Sequence, residues 1–449
     1  MAQVTNFFLG ANSGSGFQNL FSEILDVNDT FDLMILKGGP GVGKNTFMRE
    51  IGRTMEAAGA DVEYLWCSGD PDSLDGVVIP SIRCGVCDGT SPHVMEPRFP
   101  AAVDRYVDLG RFYDISAAKA QAEEVKRHTH DYKEAYIRAY RCLNSARQVE
   151  LDTLAEIGKT VDCQRMLRRM AGIIARELRG HGSGSGKITK RFLGSITHKG
   201  AIWRFDSVDT LCPRVYEFAD RYETAGGLLE IIQAEAVRRN YDVIACMAPE
   251  NITRMEHLLI PELGLAFVTS RPGMEYVGKP CRRIRLDALA HPENKARLRF
   301  RRRMADVLRE EGVAALQEVR VHGGKVPALF VVELVEGEHV AHRGHVDFKG
   351  PTGGGRHVGD PAVVAHHDAF AGFELGVHDV LKQVATGLLV VGLGVLEFLL
   401  HLRGDERVAV DLAVRVGEGD ADFLAVVLER EDLLDEVGGQ AVLGRQCAT

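Results

Sequence analysis

Seven residues, GGPGVGK at Gly38–Lys44, constrain this chain more than any other stretch. They fit the pattern GxxxxGK. Glycines let the backbone curl until successive N–H groups point inward, and the next helix adds the positive end of its dipole. Such a cup suits a phosphate, and Lys44 reaches the outer phosphates of a polyphosphate chain. The context agrees. Asp32–Lys37 (DLMILK) is an apolar run of strand length just before it. Thr46–Ala58 follows, with Phe47, Ile51, Met55 and Ala58 at helical spacing and a stop near Gly59. The alternative is a plain glycine turn between strand and helix.

The residues expected to hold a purine nucleoside triphosphate, read as ATP, are Gly38, Gly39, Pro40, Gly41, Val42, Gly43, Lys44, Asn45 and Thr46. One position departs from the pattern. A Ser or Thr hydroxyl normally follows the lysine and binds Mg²⁺, whereas this chain has Asn45. Its amide oxygen is the expected substitute, in a larger side chain serving an ion that demands octahedral geometry. Asp88, at the end of Ile82–Asp88, is the expected second Mg²⁺-side group, against a turn aspartate before Gly89. Asp70-Pro71-Asp72-Ser73-Leu74-Asp75 supplies three carboxylates, of which Asp72 and Asp75 are the candidates to orient a nucleophile; an exposed acidic turn is the alternative. Lys44, Asp72, Asp75 and Asp88 are thus the candidate catalytic set. His93 reads either as a γ-phosphate sensor or as a surface-loop histidine. Cys84 and Cys87 form CxxC, but strand alternation points them to opposite faces, so buried thiols are expected rather than a chelate.

Asp61–Cys67 reads as a second strand, and Val77–Cys87 as containing a third. The strand–helix–strand order predicts an α/β fold, a P-loop NTPase-type parallel sheet flanked by helices. From Leu109 to Leu178 the pattern turns helical without a proline, predicting an insertion of two or three long helices, with a projecting hairpin as one arrangement of them. GHGSGSG at Gly180–Gly186 reads as a linker, and GSGSGK within it as a false P-loop with no preceding strand. The chain then starts again. Phe8-Leu9-Gly10 recurs as Phe192-Leu193-Gly194, and Gly16 as Gly200, at a spacing of 184. Asp61-Val62 recurs as Asp242-Val243, and Ile79-Pro80 as Ile260-Pro261, at 181. Four matches in order at near-constant spacing predict a duplication. The expected divisions are a nucleotide-binding core over 1–108, a helical insertion over 109–179, a linker over 180–187, a degenerate second domain over 188–317 and a tail over 318–449.

The tail is compositionally odd. Residues 318–449 lack Ser, Asn, Ile, Met, Tyr and Trp, hold nine of the 16 histidines, and carry 11 basic against 21 acidic residues. A wrong-frame translation entered near Gln317, or disorder, is the reading; a lineage-specific domain is the alternative. His339, His342 and His345 there resemble metal ligands, and Val384–Leu400 is apolar but shorter than the roughly 20 residues of a membrane helix. The tail also accounts for the net charge of −9, leaving the rest of the chain nearly neutral, so charge gives no argument for nucleic acid. Arg297–Arg303 (RLRFRRR) is the one basic run, read as a solvated helix face. Nine scattered cysteines and an N-terminus without signal-peptide character point to the cytoplasm.

FFLGANSGSGF, LKGGPGVGKNTFMREIG, CSGDPDSLDGVVIP and DGTSPHVMEPRFP, in this order, resemble the tandem P-loop ATPase, nucleotide-kinase-related family of clostridia-like and spore-forming bacteria. The resemblance covers about residues 6–316. It implies two P-loop domains in series, ATP and Mg²⁺ as ligands, and hydrolysis or phosphoryl transfer. The chain departs from it at Asn45, where the family has Ser. It departs again at the second loop, ADRYETAGGLL (Ala219–Leu229), where Gly226 stands for Lys44 and Thr269 for Asp88. The resemblance therefore implies a second half without nucleotide chemistry, serving to pack against or gate the first. Two further readings stand beside catalysis: a nucleotide-gated switch with little turnover, and a nucleic-acid-stimulated motor resting on Arg297–Arg303 alone. The second substrate is open, and neither a membrane nor nucleic acid is an expected partner.

Overall fold

The computed structural model describes residues 2–24, 32–180, 182, 184–325, 332–335, 338–341, 412–413 and 425–426. The chain up to residue 325 lies in one compact unit. The short strands Val332–Val335, Glu338–Ala341, Leu412–Ala413 and Ala425–Val426 lie in a second, where they pair antiparallel two by two. His342, His345, Val384–Leu400 and most of the anomalous tail fall outside the described residues.

The first half runs β1 (Val4–Phe8), β2 (Gly10–Ser13), β3 (Gly16–Asn19), β4 (Asp32–Lys37), α1 (Lys44–Ala57), β5 (Val62–Trp66), β6 (Leu74–Ile79), β7 (Cys84–Asp88) and β8 (Asp104–Asp108). Its main sheet has the order β1-β5-β6-β7-β4-β8. β4 leads into the glycine loop, and Leu33–Leu36 are all buried, as its continuous apolar run requires with both faces covered. On α1 the buried stripe is Met48, Ile51, Gly52 and Met55, one residue round from the expected Phe47 face. Gly52 lies under the Tyr64 ring, where a Cβ would stand 2.4 Å from it.

The sheet is mixed, and the expectation of a parallel one is corrected here. Val77–Cys87 holds parts of two strands where one was expected. Pro80–Ile82 form a 3₁₀ turn, Arg83 takes a left-handed φ of 52°, and β6 and β7 pair antiparallel. β5 and β6 also pair antiparallel, while β1–β5, β7–β4 and β4–β8 are parallel.

Three helices follow: α2 (Ile115–Ala120), α3 (Ala122–Gly158) and α4 (Cys163–Glu177). The second half then runs β9 (Ile188–Arg191), β10 (Gly194–Thr197), β11 (Gly200–Trp203), α5 (Phe205–Leu211), β12 (Arg214–Ala219), α6 (Gly226–Arg238), β13 (Val243–Ala248), β14 (Asn251–Ile260), β15 (Leu265–Ser270), β16 (Arg282–Arg285) and α7 (Lys295–Gly323). Its sheet, β9-β13-β14-β15-β12-β16, repeats the first strand for strand. β13–β14 and β14–β15 are antiparallel, and the other three neighbours are parallel.

The halves meet through their N-terminal strands and hairpins. Phe8 and Phe192 exchange both backbone hydrogen bonds at 2.9 Å, N–H to carbonyl in each direction. Hairpins β2–β3 and β10–β11 join into one four-stranded sheet, order β11-β10-β2-β3. Phe7, Phe8, Phe192, Phe205 and Phe218 belong to one core that runs through both halves.

Helices fill 109–179 as expected, but a hairpin among them is not what forms. The partner of α3 is α7, from beyond the second sheet. Arg138–Glu318, Arg309–Glu150 and Arg301–Glu156 pair along the two helices, rising on one as they fall on the other, so the helices are antiparallel. At 37 residues α3 is about 55 Å long. α7 also runs straight through the 317/318 division, with Val319 buried and Arg320 facing Asp70 at 3.5 Å.

Candidate functional site

β4 ends on a loop that needs glycine. Gly38, Gly41 and Gly43 have φ of 154°, 82° and 84°, in or near the left-handed region that side chains avoid. Gly43 precedes α1, and no side chain caps the helix's first turn. The first N–H groups of a 14-residue helix thus lack the polar side chain that usually satisfies them. Lys44 is folded back over the loop. Its ammonium donates to the Gly38 carbonyl and, at 2.9 Å, to the Gly39 carbonyl, and lies 3.5 Å from Asp88 Oδ2. Burial lowers its pKa, with Asp88 opposing.

The structure gathers part of the expected set. Asp88 faces Lys44, and its Oδ1 accepts from the Thr90 amide at 2.8 Å and from the Thr90 hydroxyl. Asp75 is buried on β6, close enough for its charge to act on Lys44 and to feel Asp88. Burial raises the Asp75 pKa, opposed by His93, whose Nε2 stands 3.3 Å from Asp75 Oδ2. His93 is buried, not a surface-loop residue. Its ring lies 4.9 Å from that of Phe21 and 5.6 Å from that of Phe17.

Two expected residues are elsewhere. The Asp72 side chain is 71% exposed and ion-pairs with Lys199, which lowers its pKa. Its loop is clamped by the second half: Arg204 donates to the Pro71 carbonyl at 3.2 Å, and His198 Nδ1 is 3.2 Å from the Gly69 carbonyl. Asn45 is engaged as a tether. Its Oδ1 accepts from the Leu74 amide at 3.0 Å and from Arg49 Nε at 3.1 Å, so both lone pairs are used in tying α1 to β6. In this arrangement the oxygen expected to serve Mg²⁺ is already engaged within the fold. Thr46 is exposed at the start of α1.

Tyr113 was missed by sequence reasoning. Its hydroxyl accepts from the Gly39 amide, and a Cβ on Gly39 would come 2.2 Å from it. The signal was weak: one aromatic just before α2. Cys84 and Cys87 are free and buried, as expected, and burial pushes the Cys84 thiol up to about 12. In the basic run, Arg297, Arg299, Arg302 and Arg303 are exposed and Arg301 pairs with Glu156 at 3.0 Å. A cavity of about 300 Å³ between Glu23, Lys190, Gln233 and Met255 touches none of these residues.

The same loop in the second half is built to close. Asp220–Ala225 has the same length as Gly38–Gly43 and joins the equivalent strand and helix, β12 and α6. Asp220 stands where Gly38 does and is buried. Its carboxylate accepts from the Thr224 amide at 2.8 Å, the Thr224 hydroxyl at 2.7 Å and the Ala225 amide at 2.8 Å. Glu223 takes the left-handed conformation (φ 52°) that Gly41 takes in the first loop. Arg147 of α3 grips it with two bonds of 2.9 and 3.0 Å, and Arg254 stands 3.3 Å away. Burial would raise its pKa, but Arg254 and Arg147 hold it down to about 2.

Set against family models, curated proteins and solved structures, the chain matches none. Among the described residues, no helix is long and apolar enough to cross a membrane.

Proposed function

We propose that the first half is a P-loop ATP-binding module and that the second half is its duplicated counterpart, closed from within. The observation that carries the reading is the contrast at equivalent places. In one loop Asp220 satisfies the inward-pointing amides with its own carboxylate. In the other, glycine replaces that aspartate, the helix start has no side-chain cap, and a lysine stands one residue on. An anion from outside completes the second arrangement.

The residues fit a triphosphate. Amides from Gly41 to Thr46 would cradle the β-phosphate, and Lys44, now resting on the Gly38 and Gly39 carbonyls, would turn to the outer phosphates. Asp88 fits the Mg²⁺ side, through the oxygen not taken by Thr90. Bound Mg·ATP supplies an electrophilic γ-phosphorus. With no metal on them, Asp75 and His93 are the groups placed to hold the proton of an attacking water or substrate hydroxyl. This is ATP hydrolysis or phosphoryl transfer, with the second substrate unassigned. The eight described cysteines are all free thiols, which supports a reducing compartment such as the cytoplasm.

One observation favours a second reading, a nucleotide-gated switch with little turnover. Asn45 holds β6 where a hydroxyl would hold Mg²⁺, and Lys199 and Arg204 of the second half grip the loop beside it. Phosphate release from ATP, measured with Lys44→Ala as control, decides between the two. Tight ATP binding with no lysine-dependent release supports the switch. Release abolished by Lys44→Ala supports catalysis.

A further inference from the structure

Three side chains converge beside the phosphate loop with a chemistry that Mg²⁺ does not call for. Cys67 leaves the end of β5, Asp75 sits on β6, and His93 comes from the loop after β7. One donor atom of each lies within 4.8 Å of the other two. Asp75 and His93 are 2% and 6% exposed. Among the described residues, Asp75 Oδ2 and His93 Nδ1 have no hydrogen-bond partner. A buried carboxylate whose close partners are only an imidazole nitrogen at 3.3 Å and a thiol is costly, and such groups are normally fully paired or metal-bound.

The second half meets the same demand differently. Glu256, one residue before His257 as Asp75 is one before Gly76 in the register of the two sheets, is also buried. It ion-pairs with Arg271 and stands 3.6 Å from Arg254. Among the described residues, no arginine pairs with Asp75. Its neighbours are a thiol and an imidazole, with Lys44 and Asp88 nearby.

We propose that Cys67, Asp75 and His93 form a binding site for one transition-metal dication of the Zn²⁺ class, separate from any Mg²⁺ carried by a nucleotide. Thiolate and imidazole donors select such ions over Mg²⁺. Tetrahedral Zn²⁺ with bonds of about 2.0–2.3 Å places its donors about 3.3–3.8 Å apart, so the trio needs only a small closure. Thiolate, carboxylate and neutral imidazole balance the two positive charges, which suits a buried site. Phe17 and Phe21 fix the plane of the imidazole. Three protein ligands leave a fourth position open to water or a ligand oxygen, the pattern of metal sites that do chemistry.

The proposal does not depend on nucleotide binding, and its test keeps the two apart. Chelator-stripped full-length protein is titrated with Zn²⁺ against a chromogenic competitor, and separately with Co²⁺ while the visible and near-ultraviolet spectrum is recorded. One ion per chain is expected, with a thiolate-to-cobalt charge-transfer band. Cys67→Ser abolishes the band, and both it and Asp75→Asn weaken Zn²⁺ binding at least about 100-fold. Cys163→Ser and Cys281→Ser, at exposed thiols, leave band and stoichiometry unchanged. Lys44→Ala keeps the metal while losing ATP. Near-ultraviolet circular dichroism certifies each variant's fold. If Cys67→Ser fails to fold, the wild-type cobalt spectrum and the Asp75→Asn titration carry the decision. Wild-type protein that is folded and binds no Zn²⁺ at micromolar concentration, or a cobalt band that survives Cys67→Ser, overturns the assignment.

Discussion

Two loops of the same length, each between a central strand and a helix, treat the same backbone problem in opposite ways. Asp220–Ala225 carries its own anion: a buried carboxylate on the Thr224 and Ala225 amides, with Glu223 locked to Arg147 and Arg254. Gly38–Gly43 has neither carboxylate, and the lysine after it rests on the Gly38 and Gly39 carbonyls, which the proposed polyphosphate would replace. A helix start wants negative charge wherever it is found. Whether that charge is a side chain or a ligand decides whether the loop is a structural joint or a binding site.

The largest expected effect is at the closed loop. Glu223→Gln leaves Arg147 and Arg254 without their partner and should cost about 3–5 kcal/mol by urea unfolding at pH 7. The same variant has a pH signature. A pKa lowered from 4.5 to about 2 means that the paired carboxylate stabilises the fold above pH 4.5, and that this is lost as pH falls toward 2. The wild type should therefore lose about 3 kcal/mol more than Glu223→Gln between pH 6 and pH 2. Equal acid sensitivity would show that the pair carries no such load.

At the open loop, Lys44→Ala should weaken ATP binding on the order of 100-fold, the loss of one charge-assisted contact, with little change in melting temperature. An unchanged affinity would make the two loops alike. Asp220→Ala strips three hydrogen bonds from buried amides and a hydroxyl, for a cost of about 1–3 kcal/mol. If the loops differ only in where the anion comes from, sulfate or phosphate should stabilise the variant, which then has two open loops, more than the wild type, which has one. No rescue would mean that the second loop is shaped for its aspartate alone. The smallest effect is at Asn45. Asn45→Ser loses the tether to Leu74, for about 1 kcal/mol, while Mg²⁺-dependent phosphate release rises. A wild type already as fast as the variant would remove the case for a weakened metal side.

Much of this contrast was legible in the chain. The apolar run of β4, the glycines and the lysine stand together in sequence, and the recurring Phe-Leu-Gly marks where the halves touch. What escaped was set by distance or by disguise. Pro80-Ser81-Ile82 turns the chain between two short apolar runs, Val77–Ile79 and Cys84–Cys87, so the sequence reads as holding one strand where β6 and β7 are two, and the sheet reads as parallel. The pairing of α3 with α7 joins segments far apart in the sequence, and no local period encodes it. Asn45 looked like a ligand because its neighbours form a motif, yet its partner, the Leu74 amide, is fixed only by the fold. Cys67, Asp75 and His93 lie on three successive segments, and the turns between those segments bring them together.

Calorimetric titration of the full chain with ATP and Mg²⁺ tests the central claim most directly, because it counts sites. One nucleotide per chain, lost in Lys44→Ala and retained in Asp220→Ala, is the predicted result. Binding at two sites, or no binding of any nucleotide to well-folded protein, contradicts it.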